Sequence, residues 1–297
     1  MALQHSVLLY QYALTPLTPF TWFGLQISSL DLVASFRLCY VLRQLRENLR
    51  DEHTKRRTTD SNLPPPEDRS FVRDALTVLA VVYGGEAIAA PLLGVPTSFM
   101  FSGVGPLLYI LTQALVDALP ALPPMGPYTE LPLSFLDGHT RAMLVCTLVP
   151  PVVLRSPLPE VANSPWALLL ASFIVTNGGF FITNLVSFLH PTPLTLTTPA
   201  ELQPYGWTTT DLWSAPLVTA IYATLTHVQP FWADLHAVLA GILGGSGAVG
   251  MDKIAPLDPE TARSACALVL AVFFGTRTAT KFGLIGKRGV VEKIKTN

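Results

Sequence analysis

Apolar positions along this chain gather into blocks of about twenty separated by short polar breaks, the length a helix needs to cross a hydrocarbon core. Seven blocks qualify: 22–42, 72–93, 99–119, 131–153, 166–189, 209–230 and 262–282. The first and fourth also hold charges, Asp31 and Arg37 in one, Asp137 and Arg141 in the other. A further apolar stretch at 233–250 is short and glycine-rich, so it is expected to lie at the membrane interface or to re-enter it. The blocks lack the ten-residue alternation of an outer-membrane barrel. The fold class expected is therefore an all-α polytopic membrane protein, one seven-helix domain over residues 1–297.

Composition agrees with the pattern. Half of the 297 residues are apolar, only 13% are charged, and mean hydropathy is +0.44. Soluble domains carry about 25% charged residues. The N-terminal twenty residues lack a basic leading region and are broken by Pro16 and Pro19, so no cleavable signal is expected there.

Charge sets the orientation. Of 19 Lys and Arg, nine lie between Arg37 and Arg73 and six between Arg277 and Lys295. Basic flanks mark the cytoplasmic side. Both clusters are cytoplasmic only if an even number of crossings separates them, and blocks two to seven make six. The N-terminus is then lumenal and the C-terminus cytosolic. The mixed-charge, proline-containing stretch 46–70 is expected to be a disordered cytoplasmic linker, with 233–260 an interfacial or lumenal insertion and 284–297 a cytosolic tail.

Block two is interrupted three ways within "YGGEAIAAPLLGVP": by Gly84-Gly85, by Glu86 and by Pro91. Each is a cost inside a bilayer. Block five repeats the glycine pair as Gly178-Gly179. A proline follows each pair, Pro96 eleven residues after Gly85 and Pro191 twelve after Gly179. Blocks three and six also echo one another, "PLLYILTQAL" against "PLVTAIYATL". Two three-helix halves of opposite topology, followed by a seventh helix, would produce this spacing.

A glycine pair can be a groove for close helix packing, or a kink whose freed carbonyls face water and an ion. Glu86 needs water, a cation or a partner at its depth, and Arg141 is available, as Arg37 is for Asp31. Asn177, Thr183 and Asn184 place amides and a hydroxyl around Gly178-Gly179, suited either to interhelix hydrogen bonds or to replacing part of a potassium hydration shell. The six histidines show no metal-ligand spacing, and no nucleophile motif, phosphate loop or carboxylate pair stands out, so neither an enzyme nor a cofactor is expected. Cys39, Cys146 and Cys266 all fall in apolar blocks, where thiols pack as small hydrophobes. Nothing points to a nucleic acid.

Several of these stretches resemble the trimeric intracellular cation (TRIC) channels. "YGGEAIAAPLLGVPTSFMFS" is similar to that family's second helix and following turn, through Gly84, Ala89, Leu92-Leu93-Gly94, Pro96 and Phe101-Ser102. "SLDLVASFRLCYVLR" resembles its first helix, "ASFIVTNGGFFITNLVSF" its fifth, through Gly178 and Asn184, and "PETARSACALVLAVFFGTRTATKFG" its seventh. The chain departs from the family in helix four, where a Lys-Glu-Val-x-Arg stretch is replaced by "DGHTR" and only Arg141 is retained. It departs again at Val175 or Thr176, where animal members carry a lysine.

The resemblance implies a homotrimer of seven-helix protomers, each with its own pore for potassium and other monovalent cations. It also implies an endoplasmic reticulum membrane and a counter-ion role during calcium movement. Arg141 becomes the candidate contact for an anionic lipid. The closing "KIKTN" has the lysine spacing of a retrieval signal for that compartment. On this reading Gly84, Gly85, Glu86, Asn177, Gly178, Gly179 and Asn184 line a cation path between two bent helices. The rival expectations are a secondary transporter of a small neutral solute and a non-conducting scaffold.

Overall fold

The computed structural model describes residues 2–242 and 255–285, and its regular structure there is helical apart from one isolated antiparallel bridge, Pro16 to Ser28. The 243–254 part of the proposed insertion and the tail lysines beyond residue 285 lie outside the described residues. In chain order the helices are α1 (Ala2–Ala13), α2 (Ser29–Thr59), α3 (Phe71–Leu93), α4 (Ser98–Phe101), α5 (Val104–Asp117), α6 (Pro127–Met143), α7 (Val149–Leu154), α8 (Pro159–Ala162), α9 (Pro165–Leu185), α10 (Thr210–Thr226), α11 (Pro230–Ile242) and α12 (Pro259–Lys281).

Each of the seven apolar blocks is helical for most of its length. Among the described residues, α3 and α9 are long and apolar enough to cross a membrane. The others are shorter or carry more charge. Block four is three pieces, α6, a π turn over Leu144–Leu148, and α7. Pro150 and Pro151 have no N–H to give the carbonyls one turn back. The ladder relaxes there, and the Val149 N–H reaches Leu144, five residues away.

The 46–70 stretch differs from expectation. Helix α2 continues through it to Thr59, about 25 Å beyond Arg43 at 1.5 Å per residue. Ion pairs one turn apart, Arg43 with Glu47 and Glu52 with Arg56, knit the extension, which is why mixed charge here makes a helix and not a loose linker. At its other end α2 starts at Ser29, later than the apolar block. Ser28 caps it, and Asp31 returns the bond to the Ser28 N–H and hydroxyl. Asp31 is thus a cap, not a partner of Arg37.

Three apolar clusters hold the bundle. One joins α1, the π turn, α10 and α12 through Tyr10, Val145, Val218, Leu270 and Phe274. A second joins α7, α9 and α11 through Val153, Leu168 and Trp232, and a third joins α2, α3 and α5 through Leu42, Val78 and Val116. All three cysteines are free and buried in or beside these clusters. Helix α6 also packs tightly on α12, where a Cβ on Gly138 would come within 2.7 Å of the Ala271 Cα.

Candidate functional site

The two glycine pairs meet each other. A Cβ added to Gly84 would lie 3.1 Å from the Gly179 Cα, and one on Gly178 would lie 2.9 Å from the Gly85 Cα. A Cβ on Gly85 would strike the carbonyls of Val175 and Ile174, and one on Gly179 those of Val81 and Ala80. Both helices run unbroken through the contact. The expected kinks with carbonyls bared to an ion are therefore not what these glycines form. They let two backbones touch, the groove that small residues make in helix packing.

The crossing has a local two-fold relation with a shift of 94 residues. Under it Gly84 on Gly179 becomes Gly178 on Gly85, and Ile182 over Gly84 becomes Ile88 over Gly178, each at 3.5 Å. The two helices also start in register, because Ser70 caps α3 and Ser164 caps α9, 94 residues apart. The caps and the glycine pairs thus share one 94-residue offset.

On α9 the asparagines point elsewhere. Val175, Gly178, Gly179 and Ile182 face α3. Asn177, Phe180 and Asn184 follow them by two residues, about 200° around a helix, and so lie on nearly the opposite face. Adjacent in sequence, the glycines and the amides serve different neighbours. Thr183 is buried and gives its hydroxyl to the Gly179 carbonyl at 2.8 Å.

That opposite face opens on a cavity of about 390 Å³. Thr176, Asn177, Phe180 and Asn184 form one wall, and the facing walls come from α2, α6, α10 and α12. Asn177 turns its amide nitrogen back to the Phe173 carbonyl at 3.0 Å, which leaves its amide oxygen for the cavity. Three arginines and four carboxylates line the space: Arg37, Arg141 and Arg277 against Glu130, Asp137, Glu201 and Asp211.

The charges form an alternating chain. Arg37 holds Asp137 at 2.6 Å, Asp137 holds Arg141 at 3.3 Å, Arg141 reaches Asp211 at 3.3 Å, and Arg277 closes on the other Asp211 oxygen. Phe274 carries two of the guanidiniums, with Arg141 and Arg277 each 4.9 Å from its ring centre. Glu130 is answered by Lys281 at 2.9 Å. Glu201 is different. One of its carboxylate oxygens is out of bulk solvent and accepts no hydrogen bond from the described residues.

The sequence-derived candidates thus separate into three groups. Asn177, Asn184 and Arg141 line the cavity. The four glycines build the crossing behind it. Glu86 belongs to neither, for its carboxylate takes the Ser98 hydroxyl at 2.7 Å and the Ser98 N–H, capping α4 instead of meeting Arg141. Arg141 itself sits between two aspartates, Asp137 and Asp211, each at 3.3 Å. Sequence reasoning missed Arg37, Asp211, Arg277 and Glu201 as a set, because they come from four separate elements.

Compared with known proteins, the chain matches no family model, no curated protein and no solved structure.

Proposed function

We propose that this chain is a seven-helix membrane protein that passes monovalent cations, potassium among them, along the asparagine face of α9. One observation carries the reading: a water-accommodating cavity walled by amide and hydroxyl groups, whose ion pairs leave one lining carboxylate, Glu201, without a basic partner among the described residues. Each arginine is engaged by an aspartate and Glu130 by Lys281, while Glu201 lines the space with one carboxylate oxygen that accepts no hydrogen bond from the described residues. A cation is the ligand this balance favours.

The membrane part rests on α3 and α9, which are long and apolar enough to span and keep exposed apolar side chains, Val72, Leu76, Ile88 and Leu92 on α3 and Trp166 and Leu170 on α9. On α5, Leu107, Leu111 and Leu115 form a second outward apolar stripe. Lipid is the solvent that suits such faces. The repeat reading is supported by the 94-residue relation of α3 to α9, which fits halves of opposite topology. Kinship with the trimeric intracellular cation channels, a homotrimeric state, an endoplasmic reticulum location and a counter-ion role belong to the same proposal and rest on the motifs given above.

The test is purified protein in liposomes, with potassium flux compared with sugar uptake. Asn177→Leu with Asn184→Leu is expected to abolish potassium flux and leave the protein folded. Flux unchanged by both would refute the route. The non-conducting scaffold has an observation on its side too, since the glycines and Glu86 are all taken up by packing and capping. It would be favoured if neither potassium nor sugar moves.

A further inference from the structure

A second charged cleft lies where the extension of α2 passes the start of α3. Arg43, Arg46, Arg50, Arg69 and Arg73 converge on it. Its volume is about 40 Å³, room for about three waters, which is also the room one tetrahedral oxyanion takes.

The carboxylates present do not use up these donors. Glu47, Asp74 and Asp117 line the cleft, and Glu67 at its edge holds Arg73 at 3.1 Å. Arg43 is spent on Glu47 at 2.9 Å and on the Val116 and Leu119 carbonyls at the end of α5. Arg46 is paired with Asp74 through one terminal nitrogen, while its other terminal nitrogen lies 4.0 Å from Asp117, buried and without a hydrogen bond. The Nε of Arg73 is buried and equally unbonded. Arg50 gives one bond, to the Glu67 carbonyl at 3.3 Å, and meets no carboxylate among the described residues. Each guanidinium carries five donors in a planar fork, so many stay unused.

Burial pushes Arg46 down to about 10, and Arg69 and Arg73 push the same way against Asp117. His190, on the cleft wall, is also lowered, by burial first and then by His53 and Arg56. An anion in the cleft would relieve both.

We infer that this cleft binds a terminal phosphate group, as the free anion or as a monoester on a lipid headgroup. Planar forks converging on one small volume are how proteins hold phosphate oxygens. The site shares no residue with the α9 cavity, so it stands whether or not the chain conducts.

The experiment uses the full chain in detergent micelles and follows its melting temperature. One arm adds inorganic phosphate, a second dioctanoyl phosphatidic acid, and a third dioctanoyl phosphatidylserine, which is anionic but carries no phosphate monoester. Stabilisation by phosphate assigns a soluble anion. Stabilisation by phosphatidic acid but not by phosphate assigns a headgroup. In either case Arg50→Gln and Arg69→Gln, both at solvent-reachable positions, are expected to weaken binding about tenfold each. Lys55→Gln and Arg57→Gln, further along α2, should leave it unchanged. Equal response to phosphatidic acid and phosphatidylserine, or equal losses in the control variants, would mean unspecific charge and overturn the assignment, as would no response in any arm.

Discussion

Helices α3 and α9 begin at equivalent serines, carry equivalent glycine pairs and press the same four positions together, yet their outer faces have opposite characters. On α9 that face is Asn177, Phe180 and Asn184, turned to the cavity. Shifted by 94 residues, the same face on α3 is Tyr83, Glu86 and Ala90. Tyr83 is filled in by aromatic neighbours, edge-on to Phe99 at 5.4 Å and to Tyr109 at 6.5 Å between ring centres, while Glu86 caps α4. The glycine crossing is alike on the two helices, but the face behind it is not. A crossing that depends only on missing side chains can be kept in both helices, while the residues one half-turn away are free to diverge.

The largest effect should come from breaking what the two helices share. Gly179→Leu drives a side chain into the carbonyls of Val81 and Ala80, and no flexible atom is there to yield. We expect a loss above about 3 kcal/mol, seen as failure to recover monodisperse protein. Gly84→Ala is gentler, since its Cβ meets the Gly179 Cα at 3.1 Å, and folded protein with a lowered melting temperature is expected. If Gly179→Leu melted normally, the crossing described here would be wrong.

The next effect belongs to the cavity side alone. Asp137 is 5% exposed and the only carboxylate that joins Arg37 to Arg141 among the described residues. Asp137→Asn leaves two guanidiniums facing each other and should cost about 3 kcal/mol, the lower end for a broken buried pair because the cavity admits water. Glu86→Gln on α3 keeps the Ser98 contacts in large part and should cost well under that. Thermal melts of the two variants side by side test the contrast.

How much of this was legible in the sequence differs between those same two faces. Block boundaries for α3 and α9 were readable to within a few residues, because apolar length and serine caps are local properties. The glycine pairs were visible too, but their use was not. Whether a thin helix face meets a neighbour or water depends on the partner helix, 94 residues away. The cavity was harder still. Asn177 and Asn184 could be suspected from type and depth, but grouping them with Gly178 and Gly179 ignored the 200° that separates residues two apart. Arg37 stands out as a charge in an apolar block, but proximity in sequence matches it to the wrong partner, and only packing assembles it with Asp211, Arg277 and Glu201. The reach of α2 to Thr59 was hidden by a composition that reads as linker until its one-turn ion pairs are counted.

A third prediction sharpens the divergence of the outer faces. Tyr83→Ala removes a half-buried ring wedged between Phe99 and Tyr109 and should destabilise by about 2 kcal/mol. Its counterpart Asn177→Ala gives up a bond to its own helix beside an open cavity, and should change the melting temperature by less than the equivalent of about 1 kcal/mol. Equal losses would mean that the α9 face is packed as tightly as the α3 face, and the cavity would have to be closed in solution.

The smallest effect returns to what the helices have in common. Ser164 accepts the Ala167 N–H at 3.2 Å, and Ser70 accepts the Arg73 N–H at 3.5 Å. Replacing a serine cap with alanine typically costs about 1 kcal/mol. Ser164→Ala should reach that value, whereas Ser70→Ala should fall short of it because its bond is longer and the start of α3 is exposed. The ordering is informative in both directions. If the two substitutions cost the same, the equivalence of the helix starts extends to their energetics. If Ser70→Ala costs more, the N-terminus of α3 is held by something beyond its cap, and the arginine cleft beside it is the first place to look, since Arg73 belongs to both.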